Sequence, residues 1–344
     1  MNEPGLDPQI RAALTGPFAA PAFVLPWIDR FLELDELTLV GALAQGPLSL
    51  PAAAARMPFG VSPAFFDRAY RRGVINRPTP DTLVLTDFYT RLNIWVLFEG
   101  WKDVPPDVRE QLAEWELSQY IEDKRAQVES LLAGEPLDPT LENPEYLLLH
   151  EAEALVERAP NVFLLPCDCR AAFGRCSKPS LVCIWFENPR GLGWEISRER
   201  AIEVLRDADR RGLMHTGGVM ADEHGTPLLS RAICNCCADC CFPHLTAERL
   251  GAVKVWPRSR YVAERDAATC RLCGRCTMRC PFGAFTAERT ARPAEGGGKQ
   301  ASPRRVTAID FDAALCRGCG LCATGCPEGA ITMQPLDGVE ASGG

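Results

Sequence analysis

Two stretches of this chain repeat one spacing of cysteines. "ATCRLCGRCTMRCPFGAFT" at 268–286 aligns without gaps to "ALCRGCGLCATGCPEGAIT" at 314–332, with eleven of nineteen positions identical. Each copy reads C-x2-C-x2-C-x3-C-P. Three evenly stepped thiols wrap the inside of one turning loop, while the fourth, set just before a proline, is carried away from it. A zinc site needs only four thiolates, usually as two separated C-x2-C pairs. Four stepped thiols, twice over, each run closed by proline, point to iron–sulfur clusters instead. Gly274, Gly318, Gly320 and Gly325 are the residues that let the backbone turn tightly enough for its N–H groups to face sulfur.

The two motifs resemble bacterial two-cluster [4Fe–4S] ferredoxins over residues 260–335. The resemblance implies that one cluster takes Cys270, Cys273 and Cys276 with Cys326, and the other Cys316, Cys319 and Cys322 with Cys280. It also implies single-electron transfer. Between the motifs, "RTARPAEGGGKQASPRR" reads as an exposed loop, longer than in compact ferredoxins.

The other cysteines lie upstream, nine of the chain's seventeen, and none precedes Cys167. They are Cys167, Cys169, Cys176 and Cys183, then Cys234, Cys236, Cys237, Cys240 and Cys241 in "ICNCCADCC". The spacing fits no common zinc finger, and the two groups are expected to meet in space. Successive side chains diverge, so Cys236 and Cys237, or Cys240 and Cys241, are expected to serve different ends. At least one additional [4Fe–4S] cluster is the favoured reading; a structural zinc and buried or redox-active free thiols are the weaker ones. His215 and His244 are secondary candidates for metal ligation or proton relay.

Upstream, "ELTLVGALAQ", "SLPAAAARM" and "SPAFFDRAYRRG" read as short helices, the last with Ser62 as N-cap, Pro63 in its first turn and Gly73 as its stop. "VINRPTPDTLVLT" reads as two strands about a Pro-rich turn. Three helices and a hairpin over residues 30–90 resemble a winged-helix domain. Arg68, Arg71, Arg72 and Arg77 could mark a DNA-recognition helix, or a solvated face behind inward Phe65, Phe66 and Tyr70; the latter is preferred in an acidic chain. "PAFVLPWIDRFLEL" reads as the packing face of a first helix. Helical periodicity is also expected over "PPDVREQLAEWELSQYIEDKRAQVESLLAG", "NPEYLLLHEAEALVERA" and, from Ser197, "RERAIEVLRDADRRG".

The fold class expected is α+β and multidomain: a winged-helix-like domain at 1–100, a helical connector at 101–160, a cysteine-rich metal-binding domain at 161–259, a ferredoxin domain at 260–335 and a flexible tail at 336–344. The longest strongly apolar run, "NIWVLF", is far too short to span a bilayer. No secretory leader is visible in the opening residues, which with so many cysteines suggests the reducing cytoplasm. No P-loop or G-x-G-x-x-G motif appears, so nucleotide binding is not expected. A net charge of −8 disfavours nucleic acid and suits docking on a basic patch of a protein. The whole layout is similar to multi-domain iron–sulfur proteins that accompany larger redox enzymes. It implies an electron-transfer component serving a redox partner or larger oxidoreductase complex, rather than a stand-alone enzyme. The alternatives are a redox-sensing regulator and an oxidoreductase subunit with a catalytic cluster in the middle domain. The sequence does not set the oligomeric state.

Overall fold

The computed structural model describes residues 6–57, 60–101, 104–221, 227–228, 231–290 and 305–336. Most of the loop expected between the two cysteine motifs, and the tail from 337, lie outside the described residues. Helices and strands are mixed throughout, so the chain is α+β. It divides into two compact units: Met1–Tyr120 with Ala171–Phe173 and Asn188–Leu192, and Ile121–Arg170 with Gly174–Glu187 and Gly193–Gly344.

In the first unit, helix Leu34–Leu43 is followed by strand Leu48–Ser49, helices Leu50–Arg56 and Pro63–Arg71, and strands Ile75–Thr79 and Thr82–Leu85. The last strand lies between the other two in an antiparallel sheet. Ser62 occupies the N-cap position of Pro63–Arg71, though its side chain makes no capping bond, and Gly73 leaves the helix at φ +75°. That left-handed turn is strained for any residue with a Cβ, and here a Cβ would also meet Ile94 Cδ1 at 2.7 Å. "PAFVLPWIDRFLEL" is not one helix. It forms a 3₁₀ turn, Ala22–Trp27, running into the short helix Ile28–Phe31. Pro26, which has no N–H to donate, is consistent with that break.

The core of this unit is aromatic: Phe31 meets Phe88 edge-on at 5.2 Å and Trp95 at 4.6 Å. Phe65 and Phe66 are buried as expected, and Tyr70 packs under the Arg190 guanidinium, 4.5 Å from its ring centroid. Beneath them runs a buried charge network. Glu36, fully buried, accepts from the Glu33 N–H at 2.9 Å and from Arg72 Nε at 2.7 Å, while Arg72 and the fully buried Arg91 share Glu99. Arg68 pairs with Glu33 and Arg77 with Asp67.

The second unit is built on an antiparallel sheet in the strand order Asn143–Leu147, Met214–Ala221, Ala232–Cys236, Leu181–Trp185, Phe163–Pro166, Trp194–Glu195. Helices Leu149–Arg158 and Arg198–Arg210 cover one buried cluster that includes Leu164, Ile184, Leu205 and Ile233. Ser197 caps the second helix, its side chain accepting from the Arg200 N–H. "NPEYLLLHEAEALVERA" departs from its helical expectation. Its first five residues form a strand paired with Met214–Ala221, and the helix begins only at Leu149. Burial of Tyr146 and Leu147 and the cross-strand ladder outweigh local helical preference.

The two cysteine motifs belong to this unit. Strand Tyr261–Arg265 pairs with Ile331–Pro335, and Phe285–Thr290 with Arg305–Phe311. Buried Arg260 ties them to the larger sheet, donating to Glu151 at 2.5 Å and pairing with Glu145 at 3.1 Å, while Tyr261 Oη donates to Glu151 at 2.8 Å.

Removing one partner from a buried charge network leaves the others uncompensated. Glu36→Ala is expected to destabilise the first unit by about 2–3 kcal/mol, discounted because Arg72 keeps Glu99. Urea unfolding followed by tryptophan fluorescence measures it, with Glu122→Ala on an exposed ion pair as the near-neutral control.

Candidate metal centres

The two repeated loops share a backbone plan. Gly274 and Gly320 each take left-handed φ, +73° and +77°, at the N-caps of the short helices Arg275–Arg279 and Leu321–Thr324. Gly318 also lies at φ +73°, and a Cβ there would come within 2.3 Å of the Tyr261 carbonyl oxygen. The equivalent position in the first loop is Leu272, which takes the same left-handed backbone at φ +54°. Gly325 differs from the expectation, because its φ is −85°. What it provides is room for the Arg279 side chain, whose Cδ would lie 2.0 Å from an added Cβ.

Cys280, Cys316, Cys319 and Cys322 line one small cavity together with Phe282, Phe285 and Met333. The fourth cysteine of the first motif thus faces the three stepped cysteines of the second. Burial pushes the Cys319 thiol up to about 12 and raises Cys322 as well. Cys270, Cys276 and Cys326 pack in the same core as that cavity, Cys270 and Cys273 neighbour Cys276, and Cys273 is exposed. Four convergent thiols in an apolar pocket are a donor set suited to an iron–sulfur cluster.

The nine upstream cysteines do meet, and they sort into two groups. Cys176, Cys237 and Cys240 lie within 4.8 Å of one another, with Cys176 and Cys237 sulfurs 3.5 Å apart. The other six form a continuous hydrogen-bonded chain in the order Cys169, Cys167, Cys183, Cys234, Cys236, Cys241. Cys236 and Cys241 are 3.3 Å apart. Both adjacent pairs are therefore split: Cys236 joins the six and Cys237 the three, Cys241 the six and Cys240 the three.

Charge is distributed unevenly over these sulfurs. Hydrogen bonds from Cys169 and Cys183 hold Cys167 well below the usual thiol range, and bonds from Cys234 and Cys241 do the same for Cys236. Cys237 is lowered to about 5, chiefly by Cys240. The donors move the other way. Cys169, Cys183 and Cys240 are raised by donating to a neighbouring thiolate, and Cys241 by burial first. Cys234 is pulled down by Cys183, but its bond to Cys236 and its burial leave it well above the normal value. Protein groups also aim at sulfur: Arg170 Nε donates to Cys176 at 3.3 Å, the Phe242 N–H lies 3.5 Å from Cys169, and Thr216 Oγ1 lies 3.4 Å from Cys236. Cys241 stands at the N-cap of helix Phe242–Arg249, where backbone N–H groups favour a thiolate.

Both secondary histidines are buried at this site. His215 Nδ1 is 2.6 Å from Asn235 Oδ1, and His244 Nδ1 is 3.0 Å from Tyr146 Oη. Burial pushes both below the usual imidazole range, which favours the neutral ring. His244 shares 4.8 Å proximity with Cys236 and Cys241; His215 belongs to no such group. Tyr146 was not singled out by the sequence. It packs in one cluster with Cys236, Cys241 and Leu321, bordered by Cys234, Phe282 and Cys319, and thereby joins the upstream sulfurs to the cavity lined by Cys280 and Cys319. A further tie is Arg279, which donates to Asp209 and to the Leu321 carbonyl.

Residues 269–331 match the 4Fe-4S dicluster domain family. The C-terminal region is therefore an iron–sulfur domain, and a redox or electron-transfer role follows in general terms. No curated protein matches the chain, and no solved structure does. Among the described residues, no helix is long and apolar enough to cross a membrane.

The Gly318 backbone is constrained twice, by φ and by Tyr261. Gly318→Ala is expected to cost roughly 2–4 kcal/mol and to lower iron retention. Gly274→Ala, whose Cβ would approach side-chain atoms that can give way, Val306 Cγ2 at 3.1 Å and Arg289 Nη2 at 3.4 Å, is expected to cost about 1–2 kcal/mol, chiefly from φ. Thermal unfolding and iron analysis of the two variants in parallel measure the difference.

Proposed function

We propose that this protein relays single electrons between a low-potential donor and a partner oxidoreductase, through two C-terminal [4Fe–4S] clusters and at least one further metal centre among the upstream cysteines. Cys316, Cys319, Cys322 and Cys280 would hold one cluster, and Cys270, Cys273, Cys276 and Cys326 the other. When bound, such a cluster supplies one-electron transfer over a delocalised iron–sulfur core, with little reorganisation and no bound substrate. The observation that carries this reading is the single packed cluster in which Tyr146 touches the surroundings of both the upstream sulfurs and Cys319. Apolar Phe282, Phe285 and Met333 keep water from the cavity sulfurs, and backbone turns at Gly318 and Gly320 fix where those sulfurs point.

The order of helices and hairpin in the first unit supports a winged-helix-like front, which we assign to protein docking. Arg68, Arg72 and Arg77 are engaged with Glu33, Glu36 and Asp67, which favours docking over a regulator's DNA-reading helix. With no spanning helix among the described residues and so many thiols, we place the protein in the reducing cytoplasm.

One observation favours a second reading. Cys176, Cys237 and Cys240 offer three thiols and no fourth cysteine within the group, the donor set of a cluster with an open iron position, as a catalytic subunit would need. Addition of substrate candidates that changes the EPR spectrum of the reduced protein would favour it over a pure relay.

Protein purified without oxygen is expected to be brown, with iron and sulfide exceeding the eight of each that two cubanes contain. Cys280→Ser is expected to remove the EPR signal that Cys319→Ser also removes, and to leave the one lost in Cys273→Ser. Colourless, iron-free protein would sink the relay; Cys280→Ser grouping with Cys273→Ser would sink the ligand exchange.

A further inference from the structure

We infer that His244 Nε2 is a ligand of the metal centre in the six-cysteine group, completing with Cys236 and Cys241 a mixed thiolate–imidazole donor set for an iron–sulfur cluster. This rests on the reading that the upstream cysteines hold metal.

Three observations converge on that nitrogen. His244 is 5% exposed, and its Nε2 has no hydrogen-bond partner in a fully enclosed position. An orphaned ring nitrogen in a protein interior is costly unless something binds it. A ring nitrogen of His244 lies within 4.8 Å of both the Cys236 and Cys241 sulfurs, and since Nδ1 is taken by Tyr146 Oη at 3.0 Å, Nε2 is the one left for a metal. The helix Phe242–Arg249 fixes the spacing. Cys241 at its N-cap and His244 three residues on share one face, and the His244 backbone N–H also bonds the Cys241 sulfur.

The Tyr146 contact is what a metal-bound imidazole requires. With Nδ1 carrying the proton and donating to Tyr146 Oη, the Nε2 lone pair is free and the ring is held in orientation. Tyr146 is itself buried and locked by Phe282, Met214 and Leu321. A neutral imidazole in place of a fourth thiolate leaves the centre one negative charge lighter, which raises its potential relative to an all-cysteine cluster.

The test uses full-length protein labelled with ¹⁵N-histidine, a clean label because the chain has four histidines. Pulsed EPR of the reduced protein is expected to show a directly bonded ¹⁵N that disappears in His244→Ala. Nitrogen coupling that survives in His244→Ala, or a paramagnetic upstream centre without any nitrogen coupling, overturns the assignment. If the extra metal is zinc, absorption at its edge reads the same ligand: one nitrogen among sulfurs supports the His244 ligation, and an all-sulfur shell overturns it. Metal limited to the about eight irons of two cubanes overturns the underlying reading as well, and so is distinguishable from failure of the histidine alone. Tyr146→Phe preserves the fold's volume and is expected to weaken upstream metal retention about 10–100-fold in chelator competition; unchanged retention argues against the oriented imidazole.

Discussion

Nine sulfurs gathered in one buried region set the terms for the second unit. Each thiolate there is stabilised by thiols that donate to it: Cys167 by Cys169 and Cys183, Cys236 by Cys234 and Cys241, Cys237 by Cys240 and Cys176. Those donors favour the thiolate form at these three positions. Further thiolates would place uncompensated charge in a low-dielectric interior, whose cost is several kcal/mol per ion. Arg170 donates directly to this group, and its other nitrogens serve the Pro179 and Asn235 carbonyls. Bringing further sulfurs to their thiolate form would call for added positive charge, which a metal cation would supply when bound.

The same constraint explains the surrounding architecture. The strand Ala232–Cys236 delivers Cys234 and Cys236 on one side of the sheet, while the turn that follows throws Cys237 to the other group. Helix Phe242–Arg249 then returns Cys241 to the first. The C-terminal loops are held against this assembly by a second set of buried interactions, Arg260 with Glu145 and Glu151, and Arg279 with Asp209. Buried ion pairs add little net stability, but breaking one is expensive, so they fix position. What they fix here is the distance between Tyr146 and Cys319.

The spacing C-x2-C-x2-C-x3-C-P was enough to read the iron–sulfur domain, because ligand stepping is a local property of the chain. The divergence of adjacent side chains was enough to expect that Cys236 and Cys237 would part. The hairpin at Ile75–Leu85 and the helix after Ser197 were legible for similar local reasons, through turn residues and a capping serine. Tyr146 was not. It lay in a segment whose composition suits a helix, and its strand is selected by pairing with Met214–Ala221, more than sixty residues away. Nor could spacing say which cysteines make the six and which the three, since that depends on how Leu181–Trp185 is placed beside Ala232–Cys236 in the sheet.

The two ferredoxin-type loops, repeats of one motif, are not equivalent in the fold. Cys273 is exposed and Met278 beside it is 72% exposed, so the first loop presents a sulfur and an apolar side chain to solvent. Cys316 and Cys322 are buried, and Gly320 packs against Leu148, so the second loop faces inward toward Tyr146. Leu272 and Gly318 mark the divergence. The first loop carries a leucine in a left-handed turn, its side chain packed on the core around Cys276 and Phe285, whereas the second has the Tyr261 backbone where a side chain would go. Repeated motifs free to drift would not keep such an asymmetry by sequence alone; the packing imposes it. On the relay reading, exchange with a partner protein takes place at the exposed first loop, and the buried second loop connects to the upstream sulfurs through Tyr146.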